Sequence, residues 1–227
     1  MGYLEIGLIR SILSRASWYT GGMDFSSSNP VIVVAALVVS ITVHEMMHAF
    51  TAHWLGDDTA HEQGRVSLNP LKHIDPFLTI VLPVLSYLLV GIPFLAAKPV
   101  PFNPYKVKFG EFGAALVGLA GPLTNLALAI IAGTLLRAFG ISMNVTLFNA
   151  LIIFTKLNIA LFVFNMIPIP PLDGSRLLYA FAPEPVQEVM AQLERYGIFI
   201  VFALVFAVPA FSTILININQ AILRIIV

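Results

Sequence analysis

Residues 31–51 read VIVVAALVVSITVHEMMHAFT. The thirteen residues from Val31 to Val43 carry no charge. The whole stretch of twenty-one predominantly apolar residues is of membrane length and reads as a spanning helix. Pro30 before it suits the first helical position, where its missing N–H removes nothing. Three ionisable residues then follow inside the run: His44, Glu45 and His48. Burying them in hydrocarbon costs several kcal/mol unless something compensates.

A divalent ion compensates. His44 and His48 stand at i and i+4, one turn apart on one helix face, so two imidazoles can reach one metal. Glu45 sits off that axis, where it can reach a water on the ion. Two His ligands with a Glu general base is the helical pattern of zinc hydrolysis.

The rest of the 227 residues fits a membrane setting. Charged residues make up 11% and apolar residues 58%, against roughly 25% charged in a soluble domain. Twelve Lys+Arg balance twelve Asp+Glu, so no basic surface invites nucleic acid. Absence of Cys excludes disulfides and thiolate ligands. Further apolar runs occupy 77–97, 112–139, 145–167 and 196–215. The first of these is interrupted by Pro83, Gly91 and Pro93, and the last holds Pro209 as a kink. Lys156 inside an apolar run is expected to snorkel or to face a polar cavity. The fold class is therefore an all-α membrane protein: a polytopic bundle of about four to five spans, with a re-entrant or hairpin segment at 77–97 and a short extended segment near 98–108. Residues 1–29, with Arg10 and Arg15 among apolar residues, read as an amphipathic interfacial segment. Residues 30–227 read as a single membrane-embedded core.

Two imidazoles and a water leave one position open on a tetrahedral ion. Candidate third ligands are His53, Asp57, His61, Glu62, His73, Asp75, Glu111 and Asp173. His53 points roughly 140° off the ligand face of an ideal helix. Residues 57–75 form a polar loop, where charges are expected to be solvated. Asp173 lies in PPLDG directly after an apolar helix. Broken backbone at membrane depth is tolerated where it lines a cavity, so Asp173 is preferred.

Taken together, HEMMHAFTAHWLGD (44–57), GRVSLNPLKHIDP (64–76), KPVPFNP (98–104), GPLTN (121–125) and FNMIPIPPLDG (164–174) resemble the site-2 protease family. These are zinc metalloproteases that cut within membranes, and the likeness is to the compact branch without a PDZ or CBS domain. The pieces run in family order from about residue 30 to 180. The resemblance implies one Zn2+ per chain on His44, His48 and Asp173, with Glu45 as catalytic base. It also implies Asn125 and Asn165 as polar residues lining the site, and single-span substrates such as anti-sigma factors or signal-peptide remnants. Ser175 stands where the family often has Gly, and Phe77-Leu78 where a Gly often follows HIDP; neither is a ligand.

The amide of Asn125 can hold an oxyanion or the substrate backbone, or bond another helix. Asn165 can line the site or support the PPLDG turn. A substrate helix must unwind to be cut, and Val100 and Phe102, in an extended-favouring stretch, are expected to pair with it. Gly118 and Gly121 read as close-packing positions.

Both metal-binding ends must share one depth, which favours a re-entrant 77–97. Arg65, Lys72, Lys98, Lys106, Lys108, Arg176 and Arg195 then lie on the active-site side, against Arg10, Arg15, Arg137 and Arg224. The excess points the site mouth towards the cytoplasm, in the cytoplasmic membrane of a prokaryote; a 77–97 that crosses fully gives the same seven against four with the amino-terminal segment inside, so charge alone does not separate the two readings. The alternative function is a zinc transporter or metal-sensing membrane protein using the same ligands.

Overall fold

The structure is a computed structural model that describes residues 29–75, 98 and 100–227. The amphipathic segment read at 1–29 (save Asn29) and the re-entrant segment read at 77–97 lie outside the described residues. The main helices are α1 (Pro30–Trp54), α2 (Thr59–Glu62), α3 (Glu111–Phe139), α4 (Val145–Asn165), α5 (Gly174–Phe181), α6 (Glu184–Glu194), α7 (Gly197–Ala207) and α8 (Pro209–Ile226). No strand occurs among the described residues. Four of these helices, α1, α3, α4 and α8, are long and apolar enough to cross a membrane. Their outer faces carry exposed Val34 and Val39 on α1 and Ile130 and Ile131 on α3. Apolar surface of that kind suits lipid rather than water.

The chain divides into two units. One comprises, among described residues, 29–37, 125–164 and 199–227. Its core is the face of α4 formed by Phe148, Ile152, Ile153 and Ile159, packed with Ala36, Ala129, Leu136 and Leu223. Gly133 lets the end of α8 approach α3: a Cβ there would stand 2.1 Å from Ile226 Cγ2. Two buried amides of this unit bond each other and the backbone. Asn125 Nδ2 donates to Asn158 Oδ1 at 2.8 Å, and Asn158 Nδ2 donates to the Phe154 carbonyl at 2.9 Å. Lys156 is buried and does not snorkel. Pro209 does more than kink a span. Val208 leaves the helical region (φ −118, ψ 88), and Pro209 begins a new helix, α8. A proline disfavours αR in the residue before it and has no N–H to continue the ladder.

The second unit comprises 38–124 and 165–198. Here α1 ends in a Schellman turn. The Gly56 N–H donates to His53 C=O at 3.0 Å and the Asp57 N–H to Ala52 C=O at 2.9 Å. Gly56 has φ +103, which a residue with a Cβ rarely adopts. This reversal turns Asp57 inward. Asp57 is fully buried; its Oδ1 accepts from Thr59 N–H (3.1 Å) and Thr59 O–H (2.5 Å), and its Oδ2 from Asn103 N–H (2.5 Å). Arg65, also buried, donates to the carbonyls of Lys72 and Lys98. His73 is buried too, with Nε2 against the Ser67 carbonyl at 2.8 Å. The expectation of solvated charges across 57–75 is therefore corrected at these residues, because local donors and acceptors replace water. The Lys98 N–H donates to His73 C=O at 3.0 Å, so the flanks of 76–97 meet. Residues 100–103 run irregularly and 104–110 form turns rather than a strand. Phe102 packs on the cluster Ala52, Leu55, Val107 and Val117.

Burial raises the Asp57 carboxyl, but the Thr59 and Asn103 donors and nearby Lys106 outweigh it and hold the pKa below its ordinary 3.8. A depressed native pKa gives stability that is present above the unfolded value and lost as pH falls through the folded one. This contribution is thus complete above about pH 4 and fades in more acid solution. Asp57→Ala strands buried donors and is expected to cost about 1–3 kcal/mol, read by thermal unfolding in detergent at pH 7. The deficit should narrow on acidification below the ordinary carboxylate range.

Candidate metal centre

The second unit brings together three side chains that are far apart in sequence. His44 and His48 project from one face of α1, and both are buried. Their Nε2 atoms face each other at 3.0 Å. Asp173 Oδ2 lies 3.2 Å from His44 Nε2 and 3.4 Å from His48 Nε2. Ligands about 2.0–2.2 Å from a tetrahedral zinc stand roughly 3.4 Å apart. The three observed separations lie at or a few tenths of an ångström inside that spacing, so the donor set fits zinc.

Local structure explains why each donor points inward. The His48 Nδ1–H donates to the Val117 carbonyl at 2.6 Å. That bond fixes the ring and leaves Nε2 as the ligand atom. Asp173 occupies the N-cap position of α5 but makes no side-chain capping bond. Its carboxylate is turned to the imidazoles instead, at the positive end of the α5 dipole. Gly174 permits the tight turn beneath it, since a Cβ there would meet the Met166 carbonyl oxygen at 2.4 Å.

The approach of α3 completes the cradle. A Cβ on Gly121 would stand 2.3 Å from His48 Nε2 and 2.6 Å from His44 Nε2; one on Gly118 would stand 3.0 Å from the Asp173 carbonyl oxygen. The two glycines, at i and i+3, present a bare helix face to all three donor residues. Sequence reading assigned them to packing, and the structure shows what they pack against. The Val117 carbonyl, as a backbone group, left no signal in the sequence.

Glu45 is partly buried beside His44 and is not one of the three donors. Arg65 lies within electrostatic reach of it: burial lowers the guanidinium pKa and Glu45 opposes that shift. Arg176 donates to Glu194 at 2.6 Å and covers the Phe102 ring at 5.6 Å. Asn165 ends α4, partly buried, eight positions before Asp173. Val100 is partly buried in the irregular segment. Asn125 belongs to the first unit, in the pair with Asn158 already described. Of the other candidate ligands, Asp57 and His73 are used in the buried network above, and His53 and His61 stack on each other.

The pattern of peptidase family M50 matches residues 137–208, a stretch that includes Asp173 but not the HEMMH helix. A wider match is to YwhC of Bacillus subtilis (strain 168), which is named a zinc metalloprotease. It is 42% identical over 190 residues, covering 81% of this chain and 83% of YwhC. The chain belongs to peptidase family M50. Two other relatives are the Rip2 proteins of Mycolicibacterium smegmatis, 33% identical over 174 residues, and of Mycobacterium tuberculosis (strain H37Rv), 31% identical over 175 residues. Both carry the same zinc metalloprotease designation, and the alignments cover 77% of this chain and 66% of either Rip2. No solved structure matches the chain. This M50 peptidase is a zinc metalloprotease and an integral membrane protein.

Proposed function

We propose that this M50 peptidase is an intramembrane endopeptidase that hydrolyses peptide bonds within the transmembrane segments of single-span proteins. One observation carries the reading: two of the three zinc-spaced donors stand on α1, a helix apolar enough to span a membrane. His44, His48 and Asp173 would hold the zinc, which when bound would supply Lewis acidity that lowers the pKa of water towards neutrality and polarises a carbonyl. Glu45 accepts the proton of the attacking water and delivers it to the leaving amine. Asn165 supplies an amide donor for the substrate backbone or the oxyanion, while Asn125 takes the interhelical role, bonded to Asn158. Natural substrates of this kind are anti-sigma-factor-like proteins or signal-peptide remnants. The enzyme works in the cytoplasmic membrane of a prokaryote with its mouth towards the cytoplasm, as the distribution of Lys and Arg favours. Labelling of cysteines placed at 24–29 from the cytoplasmic side would reject that orientation.

The experiment is cleavage of a tethered transmembrane reporter by the native chain in lipid. A zinc transporter or sensor would leave the reporter intact and move or bind the ion instead.

Segment 98–103 is proposed to pair with the unwound substrate as an added strand. Phe102 anchors the segment through its packing, so Val100 is the cleaner position to test. Val100→Pro removes one backbone N–H and is expected to raise KM on the order of fivefold, the worth of one hydrogen bond, with kcat and melting temperature little changed. An unaltered KM would remove the pairing model.

A further inference from the structure

The Schellman turn that ends α1 gathers a second set of metal-binding side chains, on the surface. His53 Nδ1 lies 2.5 Å from Asp58 Oδ1. The His61 ring stacks on that of His53, with centroids 4.3 Å apart and planes 15° from parallel. One donor atom from each of the three residues lies within 4.8 Å of the others, and all three residues are exposed. The trio shares no residue with the buried centre.

We propose that His53, Asp58 and His61 form a second, exchangeable site for zinc or a similar late first-row divalent ion. The donor set carries the chemistry: two imidazoles and a carboxylate suit Zn, Ni or Cu, whereas Mg and Ca take oxygen ligands. The behaviour of Asp58 is an independent pointer. It occupies the N-cap position of α2 yet makes no side-chain capping bond, and its carboxylate is turned to an imidazole. Asp173 does the same at the buried centre. An N-cap Asp ordinarily bonds the N–H groups ahead of it, so in both places the carboxylate has left that role to face histidine.

The backbone beneath the trio is already fixed. His53 is in the last turn of α1, Asp58 follows the buried clamp of Asp57, and His61 is on α2. The donors lie within 4.8 Å of one another, with His53 and Asp58 already 2.5 Å apart, so rotation of exposed side chains suffices to set the roughly 3.4 Å spacing of a tetrahedral ion. Water completes the coordination, so the ion exchanges more readily than one in the buried centre. Occupancy would staple α2 to the end of α1, the helix that carries His44 and His48.

Zinc titration of the full chain in detergent, read by calorimetry and elemental analysis, tests this. The native chain is expected to take up about two ions in a tight and a weaker step. His61→Ala and His53→Ala should each lose the weaker step and keep the tight one. Added zinc should raise the melting temperature of the native chain in the range of the weaker step, and should not do so in His61→Gln. A single step, unaltered by His61→Ala, would overturn the proposal, as would two steps both unaltered. Failure of the protease reading is separable from either result: the tethered reporter would stay intact while the weaker step persisted, sensitive to His61.

Discussion

Glu45→Gln is expected to lower peptide-bond hydrolysis by about 10²–10⁴-fold, the usual worth of a positioned general base, while zinc content stays at the native level. Gln is nearly isosteric with Glu but cannot take a proton from water. Glu45 stands outside the three-donor cluster, so its replacement leaves the ligand set intact. Arg65 keeps its bonds to the Lys72 and Lys98 carbonyls, so the loop beside the site keeps its anchor. Reporter cleavage and metal analysis on the same preparation check both halves. Undiminished cleavage would remove Glu45 from the chemistry, and lost zinc would make it a ligand.

Gly121→Ala is the second large effect. The added methyl would overlap both imidazole nitrogens, at 2.3 and 2.6 Å. Those atoms are the far ends of side chains, so the rings swing away and the backbone stays. The fold therefore survives while the donor geometry does not. Zinc affinity should fall by at least about 10–100-fold, the range seen when a ligand's supporting contacts are lost, and activity should fall with it. Far-ultraviolet circular dichroism should stay near native. Gly133→Ala serves as the contrast. Its Cβ would meet Ile226, so it should lower the melting temperature and spare the zinc. If Gly121→Ala kept zinc at native affinity, α3 would not form the wall of the site.

The centre was legible in the sequence because hydrocarbon is intolerant. Three ionisable groups in an uncharged run needed an ion, and helical spacing put two imidazoles on one face. Asp173 could be chosen because it follows an apolar helix at a proline-broken turn, with Arg176 as its one charged neighbour in sequence. The surrounding scaffold was harder to read. Whether Asp57 or Arg65 is buried depends on acceptors and donors 46 and 33 positions away, which no local pattern encodes. Gly121 announced a close approach without saying to what. His53 was read as pointing off the ligand face, but its stacking on His61 depends on how the chain reverses at Gly56. Pro209 was read as a kink and is a break, because the residue before it leaves the helical region.

Zinc content is the most direct test of the three-ligand centre. The purified chain and its Asp173→Ala variant would be dialysed against a chelator weak enough to strip only exposed ions, then subjected to elemental analysis. The buried centre predicts about one zinc per native chain and close to none in the variant. Equal zinc in the two proteins would contradict it.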